Sequence, residues 1–196
     1  MSLHIGICTL NAMRTFPVVM DAIAQAKLHD KLWVVDSGST DGTVEFAKKH
    51  GAHVIHRTWD GFVGQHRFLL DHCRSQGGDW ALMLDADEWP DPSLWKAIET
   101  FLADAPPAVS GAVLNRQLIL HGKPLRYVCQ PEHRLRLVRP ERSTVVGSFG
   151  EQAEGVHERI QTQGKTVRLV GMLMHDSFFD LEDALSKNLG YARIEA

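Results

Sequence analysis

Ala81-Leu82-Met83-Leu84-Asp85-Ala86-Asp87-Glu88 is an apolar run that stops on two aspartates one residue apart. It reads as an interior strand, and alternation along a strand puts Asp85 and Asp87 on one side at its carboxyl end. Two carboxylates converging there call for a cation. Hard divalent ions take oxygen ligands, usually one or two carboxylates completed by substrate phosphates and water. The stretch therefore predicts a metal-held diphosphate. An isolated Asp-x-Asp is more often the opening of a solvated loop, here one running to Pro90, so the surrounding elements have to decide.

Upstream, strand-like and helix-like segments alternate. Residues 4–9, 32–36, 53–57 and 80–85 read as strands, and 18–28, 43–50, 64–74 and 92–103 as helices, the last with Asp91 as a natural cap and Pro92 at its first position. This βαβαβαβα order specifies an α/β fold with a mainly parallel sheet flanked by helices. Leu32-Trp33-Val34-Val35 and Ala81-Leu82-Met83-Leu84 are continuously apolar, as strands covered on both faces should be. Ligands of such sheets bind outside the carboxyl ends of the strands, where Thr9, Asp36, Arg57 and Asp85 fall.

After Pro106-Pro107 the pattern becomes strand-rich, over 111–120, 125–127, 133–139 and 167–174, as though a second layer closed over the site. With no repeat or flexible linker, residues 1–105 and 106–196 read as two halves of one domain. Residues 181–196 read as a helix that stops without a capping signal, as expected of a piece of a longer protein.

At 196 residues the chain is long enough to bury on the order of 70% of its unfolded surface. A net charge of −3 with mixed signs gives no basic footprint for nucleic acid. Cys8, Cys73 and Cys129 are widely spaced, which argues for reduced thiols in the cytoplasm and against a disulfide framework or structural zinc. No apolar run approaches the roughly 20 residues of a spanning helix, so any membrane association is peripheral. The eleven histidines are scattered without ligand spacing. There is no Gly-x-Gly-x-x-Gly after the first strand, no P-loop and no Gly-x-Ser-x-Gly elbow, which excludes dinucleotide, P-loop and serine-hydrolase readings.

Asp36-Ser37-Gly38-Ser39-Thr40-Asp41-Gly42-Thr43 leaves an apolar strand and enters a helix at the ligand edge. Asp36 could accept from a base or ribose; a turn in which Ser39 or Thr40 caps the helix accounts for the same residues. Arg134 and Arg136, at i and i+2, suit phosphate, but a solvated strand face is the commoner source of that alternation. Trp59 with Phe62 could form a wall for a sugar, or simply pack.

Taken together, Thr9-Leu10-Asn11, the Asp36 octapeptide with Ser37, Arg57 through Trp59-Asp60-Gly61-Phe62 to Gln65, and Leu84-Asp85-Ala86-Asp87-Glu88 resemble the family 2 inverting glycosyltransferases. The likeness is greatest to the bacterial lipopolysaccharide-core glucosyltransferase branch, where Val156-His157-Glu158 also has a counterpart. The resemblance implies a GT-A fold. It places Thr9, Asn11, Asp36, Ser37, Arg57, Gln65 and Asp85 on a nucleotide-sugar, with Asp36 near the base and Asp85 towards ribose or sugar, and Asp87 on a Mg²⁺ or Mn²⁺ that bridges the diphosphate. It also implies a UDP-sugar donor, a lipopolysaccharide-core or related glycan acceptor, and a cytoplasmic enzyme at most peripheral to the inner membrane. Family members often carry an acidic residue after the first-motif Asn, where this chain has Ala12-Met13-Arg14.

An inverting displacement needs a base for the acceptor hydroxyl, and Glu158 is the nominee, with Glu151 competing. His175, just after an apolar strand, could return an imidazole to the metal or the diphosphate, and a core or capping role accounts for it as well. A sugar-phosphate nucleotidyltransferase and a non-catalytic nucleotide-sugar-binding module remain alternative readings.

Overall fold

The computed structural model describes residues 1–127, 130–147 and 158–178, together with 180, 182, 183, 185 and 189. Cys129, Glu151, His157 and most of 181–196 lie outside the described residues. The chain runs β1 (Leu3–Thr9), α1 (Phe16–Ala26), β2 (Lys31–Asp36), α2 (Thr43–Lys49), β3 (His53–His56), α3 (Phe62–Ser75), β4 (Trp80–Asp85), β5 (Glu88–Pro90) and α4 (Pro92–Ala103). It continues through β6 (Val109–Leu120), β7 (Lys123–Pro124), β8 (Glu132–Val138), β9 (Ser143–Gly147), β10 (Glu158–Thr162) and β11 (Lys165–His175).

The central sheet has the order β3-β2-β1-β4-β8-β6-β11-β5, with β7 folded back on β6. Strands β1 to β4 are mutually parallel where they pair. β8 is antiparallel to both neighbours, β6 and β11 are parallel, and β5 closes the edge antiparallel to β11. β9 and β10 form a separate antiparallel pair beside α3.

Alternation along β4 divides the core in two. Leu82 and Leu84 join Phe16, Met20, Leu94 and Ile98 on one face, while Ala81 and Met83 join Leu69, Leu70 and Val145 on the other. This is why β4 is apolar at every position: α1 and α4 cover one face and α3 the other. Gly6 lets α3 lie close on β1, since a Cβ there would sit 2.9 Å from Leu69 Cγ. That seating puts His66, one turn before Leu69, over the end of β4.

The structure differs locally from the sequence reading. α1 and α3 each begin two residues earlier. Residues 125–127 are not a strand: β7 stops at Pro124, and Leu125 N donates to Leu118 O at 2.8 Å. The alternative of a solvated loop running to Pro90 holds only for the turn at residues 86–87: Glu88–Pro90 is β5, with Glu88 fully buried, and Pro90 is tolerated because β5 is an edge strand. Among the described residues, no helix is long and apolar enough to cross a membrane.

Two local features fix α4 and β11, which together aim His175. Asp91 Oδ1 accepts from Leu94 N at 2.7 Å, capping α4 behind Pro92. β11 carries a bulge between Arg168 and Met172, within which Gly171 has φ +106 and a Cβ would collide with the Leu94 backbone. We expect Asp91→Ala to cost about 1 kcal/mol in urea unfolding. Gly171→Ala, which adds both backbone strain and a clash, should cost about 3 kcal/mol or more in the same measurement.

Candidate functional site

Thr9, Asp36, the residue after His56, and Asp85 all stand at strand carboxyl ends, with Thr9 level with Asp36 and Cys8 level with Asp85. The first two loops interlock. Asn11 (φ 49) accepts on Oδ1 from Thr40 N at 2.9 Å, and its own N donates to Ser39 Oγ at 2.8 Å. Ser37 N donates to Thr9 O at 3.0 Å. Asp36 is fully buried, and its oxygens accept from Gly38 N and Ser39 N, both at 2.9 Å, from Thr9 Oγ1 at 2.9 Å, and from Ser39 Oγ. Burial opposes its charge, but the hydrogen bonds from Ser39, Gly38 and Thr9 prevail and hold the carboxyl below its ordinary range. With a donor at each of about four acceptor positions, Asp36 shapes this loop. Neither Ser39 nor Thr40 is the α2 cap, which is Gly42; Asp41 instead accepts from Thr43 N at 3.1 Å and Met13 N at 2.9 Å.

In the third loop Arg57 pairs with Asp60 and stacks over Phe68 at 5.0 Å. Gly64 leaves room for the Asp60 carboxylate, which a Cβ there would displace. Gln65 is fully buried, with Nε2 donating to Thr58 O at 2.9 Å and Oε1 without a partner. Trp59 and Phe62 meet edge to face at 4.8 Å and remain 45% and 38% exposed, a half-open aromatic corner.

Asp85 ends β4, but Asp87 lies in the turn that follows, so strand alternation is not what relates them. Each faces its own partners. Asp85 Oδ1 lies 3.1 Å from His66 Nε2, and Oδ2 pairs with Arg136. The same guanidinium reaches Glu88 Oε1 at 3.0 Å and Glu158 Oε1 at 3.3 Å. Arg116 continues the ladder from Glu88, at 3.2 Å, to Glu132, which Arg134 also pairs. Arg136 is 4% exposed, so this face of β8 is not solvated as its alternation suggested. β8 lies between β4 and β6, and its last three residues, Arg136 to Val138, are buried. Burial opposes the Asp85 charge, and Arg136 and His66 outweigh it, keeping the carboxyl far below its ordinary range. Burial likewise pulls the His66 pKa down, but the hydrogen bond to Asp85 and the charges of Glu158 and Asp85 raise it to about 9.

Asp87 turns to β11: His175 Nε2 stands 3.5 Å from its Oδ2. Burial lowers and Asp87 raises the His175 pKa, with a net upward shift. The Asp87 turn is braced on both sides. Thr15 Oγ1 donates to Ala86 O at 2.9 Å and Asp176 N to Asp87 O at 3.0 Å, while Arg14 pairs with Asp176 at 3.3 Å across the gap. The departure at Arg14 thus ties the first loop to the end of β11.

Two groupings could hold a metal. Asp87 with His175 offers one oxygen and one nitrogen; His66, Asp85 and Glu158 offer ligand atoms within 4.8 Å of one another. In the second, Arg136 already contacts both carboxylates. The sequence reading missed His66, Glu88 and Arg116 and undervalued Arg136. The one available signal was an arginine set between Leu135 and Leu137, inside an otherwise interior strand.

The sequence pattern of glycosyl transferase family 2 matches residues 4–150. The lipopolysaccharide core biosynthesis glycosyltransferase LpsC of Rhizobium meliloti is 28% identical over 174 residues, spanning 83% of this chain and 60% of that protein. An uncharacterized glycosyltransferase of Rickettsia conorii is 45% identical over 74 residues, 38% of this chain and 25% of that one. The chain thus spans between a quarter and 60% of the length of these relatives. Among solved structures, S. aureus TarS superposes with a TM-score of 0.58 at 11% identity, over 91% of this chain and 36% of that chain. Glucosyl-3-phosphoglycerate synthase from Mycobacterium tuberculosis, in complex with Mn²⁺, UDP and phosphoglyceric acid, gives 0.51 at 22% identity, over 71% and 56%. These likenesses establish the GT-A fold. The family match over most of the chain, on a sheet whose strand ends carry Thr9, Asp36 and Asp85 with Asp87 in the turn beyond, makes this protein a member of glycosyl transferase family 2.

Proposed function

We propose that the protein is a metal-dependent inverting glycosyltransferase that moves a hexose, glucose from UDP-glucose, onto a lipopolysaccharide-core or related glycan acceptor. The observation that carries the proposal is the pairing of Asp87 with His175, 3.5 Å apart although 88 positions separate them in sequence. The relative from Rhizobium meliloti, named for lipopolysaccharide core biosynthesis, supports the acceptor class, and the UDP and Mn²⁺ held by the M. tuberculosis enzyme support donor and ion.

A carboxylate oxygen and an imidazole nitrogen at that spacing, open to phosphate and water, form a donor set that fits Mn²⁺ or Mg²⁺. The bound ion supplies Lewis-acid neutralisation of the departing diphosphate. The rest falls to side chains. The interlocked Thr9–Asn11 and Asp36–Thr40 loops give the nucleotide a fixed floor, on which Asp36 sets the shape and Ser37 lies at the rim, with Arg57 and Gln65 in the adjoining loop. Asp85 presents its remaining exposed edge towards ribose or sugar. Glu158, 12% exposed at its side chain and held by Arg136, takes the proton from the acceptor hydroxyl as that oxygen attacks the anomeric carbon.

The first test is UDP release from UDP-glucose with a lipopolysaccharide-core acceptor and Mn²⁺. Pyrophosphate release from UTP and glucose 1-phosphate instead would overturn the reading. In calorimetry, Asp87→Ala and His175→Ala should each weaken Mn²⁺-dependent UDP binding by about tenfold or more. Glu158→Gln should lower the transfer rate by about 10²–10⁴-fold while donor binding stays within twofold; a fully active Glu158→Gln enzyme would move the base elsewhere.

A further inference from the structure

His66 is buried on α3, and each of its ring nitrogens faces an oxygen that can only accept. Nδ1 lies 2.9 Å from the Phe62 carbonyl oxygen, one turn back on the same helix. Nε2 lies 3.1 Å from Asp85 Oδ1. A neutral imidazole has one N–H and one lone pair, so in either tautomer it would set a lone pair against an oxygen in a water-poor site. Only the imidazolium donates to both.

The charged groups around the ring agree. β4 presents Asp85, β10 presents Glu158 and β8 presents Arg136. β1 adds the Cys8 thiol level with Asp85, which burial first, and then Asp85 and Glu158, keep protonated. Asp85, Glu88 and Glu158 against the guanidinia of Arg136 and Arg116 leave room for one more positive charge, and a proton on His66 supplies it.

From this geometry we infer that His66 is held doubly protonated as a positioning residue, fixing Asp85 between two resident cations and barring a metal ion from the His66–Asp85–Glu158 cluster. Asp85 then has one oxygen on His66 and the other on Arg136, and its charge is balanced before any ligand arrives. A divalent ion in that cluster would have to displace the His66 proton and also crowd Arg136, which holds both carboxylates, whereas at Asp87 and His175 it would compete with the imidazole proton alone, no guanidinium pairing with Asp87 among the described residues. The inference divides the Asp-x-Asp pair: Asp85 is an anchored acceptor of hydrogen bonds, and Asp87 is left to the ion. The ion at Asp87 rests on the proposed function; the charge state of His66 goes beyond it and is read without it by NMR and by stability.

Nitrogen-15 NMR of histidine ring resonances in the full chain, with His66→Gln used to assign the His66 signal, reads the proton count directly. Both His66 ring nitrogens should carry protons at pH 7.5, and one proton should be lost only near pH 9. A neutral ring at pH 7.5 would overturn the inference. Asp85→Asn should bring the titration down by more than a pH unit, and an unchanged midpoint would remove Asp85 from the account.

Stability supplies a second readout. Because the folded pKa lies above the ordinary 6.5, the proton stabilises the fold fully below pH 6.5 and loses its effect as pH rises through about 9. The melting temperature of the wild type relative to His66→Gln should therefore fall across that window, and a constant difference would count against a charged ring. Finally, calorimetry with Mn²⁺ and UDP separates positioning from ligation. His66→Gln should bind Mn²⁺ within twofold of wild type, whereas a loss of about tenfold or more would place the ion on His66 or on the Asp85 it holds and overturn the exclusion of metal from that cluster. If UDP fails to bind at all, the transferase proposal falls while the NMR result still stands.

Discussion

A single guanidinium ties this site together. Arg136, buried on β8, touches carboxylates from three other elements: Asp85 at the end of β4, Glu88 on β5 and Glu158 at the start of β10. Each of those anions, alone in the interior, would carry a desolvation penalty of several kcal/mol. Bound to one cation they are tolerable only where the strands place them, so the electrostatics also specify which strand ends lie together. Removing one partner from such a group typically costs about 3–5 kcal/mol, because the remaining charges stay buried.

This constraint explains how the two halves share one site. The first half is a parallel α/β layer whose strand ends deliver Thr9, Asp36 and Asp85; the second contributes strands that run against and beside it. β8 pairs directly with β4, and β11 brings His175 to Asp87 through β5. The loops at that edge are held by side chains acting on backbone: Asn11 on Thr40, Asp41 on Met13, Thr15 on Ala86. Such bonds fix loop shape before a ligand binds, which spares the ligand the cost of ordering them.

The first half was legible in the sequence because its signals are local. Continuous apolar strands, a Pro92 helix start behind Asp91 and carboxylates at strand ends follow from periodicity and capping. The burial of Arg136 depends instead on which strands flank β8, a long-range pairing that alternation within residues 133–139 does not encode. His66 was hidden by its helix, where nothing marks the partner it meets 19 positions later. Glu88 escaped notice because Glu-Trp-Pro is short and ends in proline, and only pairing at the sheet edge makes it a strand.

The bulge in β11 has a bearing on how this edge can vary. Two extra residues between Arg168 and Met172, accommodated at Gly171, set the register of everything beyond them, including His175. Side chains alternate along a strand, so the loss of one residue from the bulge would turn His175 to the opposite face and leave Asp87 without its imidazole. The loss of two would keep the face but draw the ring back by one pleat. Insertions and deletions at a point remote from the strand ends therefore act as a dial on the Asp87–His175 pair, and lineages could retune it while the loops after β1 and β2 stay as they are.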